Sequence, residues 1–165
     1  GIVKSGGNAG GETAAEGSGT AAGGQSGVAR TSDKVLPDAK LILKRFYKGC
    51  GHLITEETTV PPDMVNLTAN EMELAYKDWK IEEFTGDRIV LRTDRDGKCT
   101  NHFILREKDG RVVVYYATPV DGIAIKEYTM IYVNKLRAED RERLKKGIEV
   151  NSLQELAQII EDFGS

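Results

Sequence analysis

The 165-residue chain has two cysteines and two histidines, and they fall as two close pairs, Cys50-x-His52 and Cys99-x-x-His102. Thiolate sulfur and imidazole nitrogen are ligands that zinc takes in closed tetrahedral sites, where four protein ligands leave no position for a substrate and the role is structural. The one-residue spacing of Cys50 and His52 is tighter than in common zinc fingers. The same sulfurs offer a second chemistry. A disulfide from Cys50 to Cys99 would close a loop of about fifty residues, worth roughly 4 kcal/mol in the chain-entropy model, and would leave the histidines incidental. Buried thiols with partly exposed turn histidines are a third reading, and a Cys-His thiol enzyme a fourth.

Other chemistries find fewer supports. Within residues 34–165 serine occurs only as Ser152 and Ser165, a helix cap and a terminus, so a Ser-His-Asp hydrolase has no nucleophile. Neither cysteine is accompanied by an orienting third residue or an oxyanion-forming motif, and there is no C-x-x-C pair for dithiol exchange. Gly49-Cys50-Gly51 lacks the GK[ST] signature of a phosphate loop. Asp94-Arg95-Asp96-Gly97 opens like a calcium loop, but its twelfth position is Leu105 where a bidentate Glu is required, so it reads as a loop relieved by Gly97. Glu56-Glu57 and Glu82-Glu83 are neighbours on strands, point to opposite faces and read as solvated. Tyr115-Tyr116 reads as one core ring and one exposed β-former, and Trp79 as a core anchor.

For the two Cys/His pairs to act together, the elements around them must bring them to one place. Leu41 to Tyr47 and Leu53 to Val60 are β-rich runs flanking the turn that holds Cys50 and His52. Pro61-Pro62 ends the second run, and Thr68-x-x-Glu71 is a capping box that predicts a helix to about Asp78, with Met72, Leu74, Ala75 and Tyr76 as its buried stripe. Strands are predicted at Trp79 to Phe84 and Arg88 to Thr93. With the first and fourth strands parallel, their ends lie at one edge, which draws Cys50 toward Cys99. A three-strand meander follows, Phe103 to Glu107, Val112 to Tyr116 and Ile123 to Val133, joined by the type I′ turns Asp109-Gly110 and Asp121-Gly122. Two helices close the chain. One, about Ala138 to Lys146, pairs Glu139 with Arg143 and Glu142 with Lys146 and stops at Gly147; the other follows the Ser152-x-x-Glu155 cap with Leu153, Leu156, Ile159, Ile160 and Phe163 on one face.

The fold class predicted is therefore α+β, a ββαββ unit over 34–99 and a three-stranded antiparallel meander with two C-terminal helices over 100–165. Residues 1–33 are nearly all Gly, Ala, Ser, Thr and Glu, a composition expected to form a disordered linker. A hydrophobic content of 39% in this length suits one medium domain or two small ones sharing a core. With 23 basic and 26 acidic side chains no excess of cations exists to neutralise a phosphate backbone, so nucleic acid is not an expected partner. No apolar run approaches the about 20 residues that span a bilayer. A chain opening on a linker is expected to have had an anchor or signal segment upstream.

The string Leu144-Lys145-Lys146-Gly147-Ile148-Glu149-Val150, followed by Ser152 and a Glu-rich helix, resembles the end of bypass-of-forespore C (BofC) proteins. The resemblance runs upstream through Asp109-Gly110-Arg111-Val112 and Tyr76-Lys77-Asp78-Trp79, covering most of residues 41–163. It implies a small, extracytoplasmic, non-enzymatic protein of spore-forming Firmicutes, with an N-terminal unit like an immunoglobulin-binding domain of protein G. It also implies a regulatory role: binding and restraining a signalling serine protease between the two membranes of the developing spore, at the checkpoint for a late sigma factor. No catalytic or ligand residues come with the resemblance, and the Cys50/His52 and Cys99/His102 pairs depart from it.

Overall fold

The computed structural model describes residues 2–5 and 33–165, so most of the expected linker lies outside the described residues. The α+β class holds. The chain divides into two compact units, one of residues up to Phe46 with Leu53–Arg95, the other of Tyr47–His52 with Asp96–Ser165.

The first unit contains strands β1 (Lys40–Tyr47) and β2 (His52–Thr59), helix α1 (Ala69–Ala75), and strands β3 (Lys80–Phe84) and β4 (Arg88–Arg95), in the sheet order β2-β1-β4-β3. Lys40 N–H donates to the carbonyl of Asp87 at one end of β1, and Gly49 N–H to that of Gly97 beyond the other, so β1 and β4 run in the same sense. Leu41, Leu43, Ile89 and Leu91 alternate inward from these two strands onto Met72, Tyr76, Trp79 and Phe84. Trp79 is thus the core anchor expected. Helix α1 stops at Ala75, three residues short of the predicted end. Leaving the helix there lets Tyr76 and Trp79 both enter the core, while Leu74, expected in the buried stripe, is 69% exposed. Residues 2–5 dock on the same end: Ile2 packs against the core, Ser5 N–H donates to the carbonyl of Ala75, and Ser5 Oγ accepts from Lys77 N–H.

The paired glutamates are not simply solvated. Glu56 lies 3.0 Å from Arg45 and Glu57 3.5 Å from Lys40, while Glu82 and Glu83 lie 3.2 Å from Lys44 and Arg88 respectively. These pairs are partly exposed and contribute little each. The predicted capping box is present in both directions, Glu71 N–H donating to Thr68 Oγ1 at 3.3 Å and Thr68 N–H to the Glu71 carboxylate at 3.1 Å. Thr68→Ala removes the first of these bonds. Urea unfolding of the variant should show the first unit about 1 kcal/mol less stable.

The second unit is built on β5 (Phe103–Lys108), β6 (Arg111–Val120) and β7 (Ile123–Tyr132), followed by α2 (Ala138–Lys146), β8 (Ile148–Val150) and α3 (Leu153–Gly164). Its sheet has four strands rather than the three expected, in the order β7-β6-β5-β8. The added strand is the three-residue segment between the helices. Gly147, at φ +84°, turns the chain out of α2 and delivers Ile148 opposite Leu105 and Val150 opposite Phe103. Asp109-Gly110 and Asp121-Gly122 both have positive φ at both residues, the signature of the predicted turns. Phe103, Leu105, Val112, Val114, Ile148 and Val150 form the core with Leu144 and Leu156. Ile159, Ile160 and Phe163 pack against it, but Leu153 is 54% exposed. On α2 the ion pairs form at i,i+3, Asp140 with Arg143 and Glu142 with Lys145, instead of the i,i+4 pairs predicted. Tyr115 and Tyr116 are both half-buried, Tyr116 packing against Phe103.

Candidate metal centre

All four predicted ligands, Cys50, His52, Cys99 and His102, lie in the second unit, and one ligand atom from each falls within 4.8 Å of the others. Local backbone chemistry explains the convergence. Cys50 and Gly51 both donate N–H groups to the carbonyl of Tyr47, closing a tight turn, and Gly51 takes φ +73°. Gly49 of that turn donates to the carbonyl of Gly97 at 2.7 Å, which brings the turn against the segment carrying Cys99. A side chain cannot fit there: a Cβ on Gly49 would sit 2.5 Å from the backbone C and O of Gly97. The second segment is held in turn by Thr118, whose Oγ1 accepts from Lys98 N–H at 2.9 Å.

Distances inside the cluster match metal ligation. His52 Nδ1 lies 3.2 Å from His102 Nε2 and 3.5 Å from Cys99 Sγ. Ligands held by one tetrahedral zinc are separated by about 3.4 Å for two nitrogens and about 3.6 Å for nitrogen and sulfur, given its usual bond lengths. The imidazoles stack with centroids 5.1 Å apart and planes 17° from parallel. The residues present therefore fit zinc in both donor type and spacing, and the four together would form a closed set. Both cysteines are free thiols.

The two thiols differ. Burial alone would push Cys50 up, but N–H groups of Cys99 and His52, the Cys99 thiol and the nearby Lys98 charge outweigh it, and the net direction is down. Cys99 N–H lies 3.4 Å from Cys50 Sγ. At Cys99 burial dominates over the opposing Asn101 N–H, the neighbouring Cys50 adds to it, and the thiol is raised. A nucleophilic cysteine needs access and a lowered pKa. Cys99, the thiol within reach of His52, is buried and raised.

One participant carries no signal in the sequence. Asn151 Oδ1 lies 3.1 Å from His102 Nδ1, on the side of the ring away from His52. The two residues are 49 apart in sequence, and Asn151 reads only as the residue before a helix cap. What joins them is β8. Its antiparallel register on β5 pairs Phe103 with Val150, and one step further along the same register sets His102 opposite Asn151.

Residues 98–165 match the family model of the BofC C-terminal domain. This stretch, 68 of the 165 residues, is similar to the BofC C-terminal domain. The BofC family is sporulation-related and regulatory rather than catalytic, which agrees with the resemblance read from the sequence. The matched stretch takes in Cys99, His102 and Asn151 of the centre, whereas Cys50 and His52 precede it. No curated protein matches the chain. Among the described residues no helix is long and apolar enough to cross a membrane.

Proposed function

We propose that this chain is a non-catalytic, extracytoplasmic regulatory module of sporulation that binds another protein, and that Cys50, His52, Cys99 and His102 hold one structural zinc ion that stabilises it. The observation that carries the metal reading is the convergence of two sulfurs and two ring nitrogens within 4.8 Å, drawn from residues 47 apart and more. Four protein ligands make a closed site, the arrangement of structural rather than catalytic zinc.

The match to the BofC C-terminal domain supports the regulatory half of the reading, and the edge of the second unit's sheet supports a docking mode. Strand β7 is an edge strand and exposes Ile123, Tyr128, Met130 and Tyr132, two of them aromatic and one a pliable Met. An extended segment of a partner can add to such an edge through backbone hydrogen bonds, with these side chains supplying contact area. The partner implied by the resemblance is a signalling serine protease, and tethering to a membrane surface would come from a segment beyond these 165 residues.

The test pairs a composition measurement with a functional one. Elemental analysis of the purified protein should give one zinc per chain, and the wild type should slow cleavage by the signalling serine protease encoded in the same genome. A Tyr128→Lys, Met130→Lys double variant should stay folded and lose that restraint. Unaltered cleavage in the presence of the wild type would overturn the protease reading; zinc-free protein with both thiols titratable would overturn the metal reading.

A further inference from the structure

We propose that Asn151 is the positioning residue of the metal centre, holding His102 in the one tautomer that presents a bare Nε2 to the metal. This deepens the metal reading and rests on it. His102 is 5% exposed, so both its nitrogens need partners within the protein. Nδ1 faces Asn151 Oδ1 at 3.1 Å, and Nε2 faces His52 Nδ1 at 3.2 Å. An amide oxygen only accepts, so the proton of a neutral His102 sits on Nδ1, and Nε2 is left with a free lone pair directed into the cluster. Metal-bound histidines are usually fixed in this way, by a hydrogen bond from the nitrogen that does not ligate.

Asn151 is itself held in place. Its N–H donates to the Glu155 carboxylate at 3.0 Å, while Glu155 N–H donates to Ser152 Oγ at 3.0 Å, so the asparagine is tied to the first turn of α3. The glutamate of the predicted capping box thus reaches one residue further back than that motif requires, and the residue it secures is the one that touches His102. His52 has no such anchor. It is exposed, and its Nδ1 lies 3.2 Å from His102 Nε2 and 3.5 Å from Cys99 Sγ, inside the cluster. To ligate through Nδ1, His52 must carry its proton on Nε2, whereas the Asn151 contact already sets His102 for ligation through Nε2. The centre is therefore asymmetric, with one buried imidazole oriented by Asn151 and one exposed imidazole.

Cobalt(II) provides the probe, because thiolate ligation gives it visible absorption bands that report binding directly. Titration of the full chain should show Asn151→Leu binding cobalt about 10–100-fold more weakly than the wild type. Asn151→Asp, which keeps an accepting oxygen at the same place, should bind within about threefold of the wild type. A loss common to both variants would mark a packing role and overturn the proposal, as would unchanged affinity in Asn151→Leu. Nitrogen-15 NMR of the wild type supplies a readout independent of any variant's folding: His102 should be protonated on Nδ1 with and without diamagnetic zinc, and protonation on Nε2 would overturn the assignment. A wild type that binds no cobalt, yet shows His102 protonated on Nδ1, would sink the metal reading and with it the role assigned to Asn151; binding without an Asn151 effect would sink only the latter.

Discussion

Chelating the metal from the purified protein should lower the thermal midpoint of the second unit by roughly 15–30 °C. Zinc at a thousandfold above its dissociation constant contributes about 4 kcal/mol, and each kcal/mol moves the midpoint of a unit of this size by roughly 4–8 °C. The proposed ligands come from two separate segments, a turn at 50–52 and the residues 99–102, so release of an ion would free both at once. Trp79, the single tryptophan, sits in the core of the first unit. Its fluorescence should therefore shift less than the near-ultraviolet dichroism of Tyr115, Tyr116, Tyr128 and Tyr132 in the second. A Cys50 to Cys99 disulfide predicts the contrary pattern: no free thiol in unfolded, unreduced protein and a midpoint indifferent to chelator but lowered by reductant.

Gly97→Ala should strongly destabilise the second unit. Gly97 has φ +80°, a conformation that costs a non-glycine residue about 1–3 kcal/mol. Its added Cβ would also meet Cγ2 and Oγ1 of Thr118 at 2.7 Å, and overpacking of this kind adds about 1–3 kcal/mol. If Thr118 gives way, the bond that Lys98 N–H donates to it is lost, and the Cys99 segment is loosened. Gly110→Ala is the matched comparison, since Gly110 has φ +77° but open space where a Cβ would go. Denaturant unfolding should show Gly97→Ala losing at least about 1 kcal/mol more than Gly110→Ala, and only the former should weaken cobalt binding. Equal losses would mean that the segment is free to move aside.

Features set by neighbouring residues were legible in the sequence. The Asp-Gly turns need φ above zero at two successive positions, and that chemistry is written in the dipeptide itself. The Thr68 cap, the α2 boundaries and the pairing of each histidine with a cysteine are of the same local kind. What escaped depends on contacts distant in sequence. Helix α1 ends early because Tyr76 and Trp79 share one core, a demand that periodicity within the helix does not contain. Ile148–Val150 is too short to carry a strand pattern and becomes one only because β5 offers an open edge. Leu74 and Leu153 occupy apolar positions by spacing but face solvent, since no element of the unit covers them. Asn151 follows from β8 and was hidden with it.

The placement of β8 bears on the order in which the centre matures. On a growing chain all four proposed ligands are made by residue 102, whereas the asparagine that contacts the last of them is made 49 residues later. An ion captured early would meet a His102 whose ring is still free to present either nitrogen. On the proposed metal reading, the site would pass from a loose grip to a firm one only when the segment after Gly147 has been synthesised and laid along its neighbour, so that metal retention would report on completion of the domain.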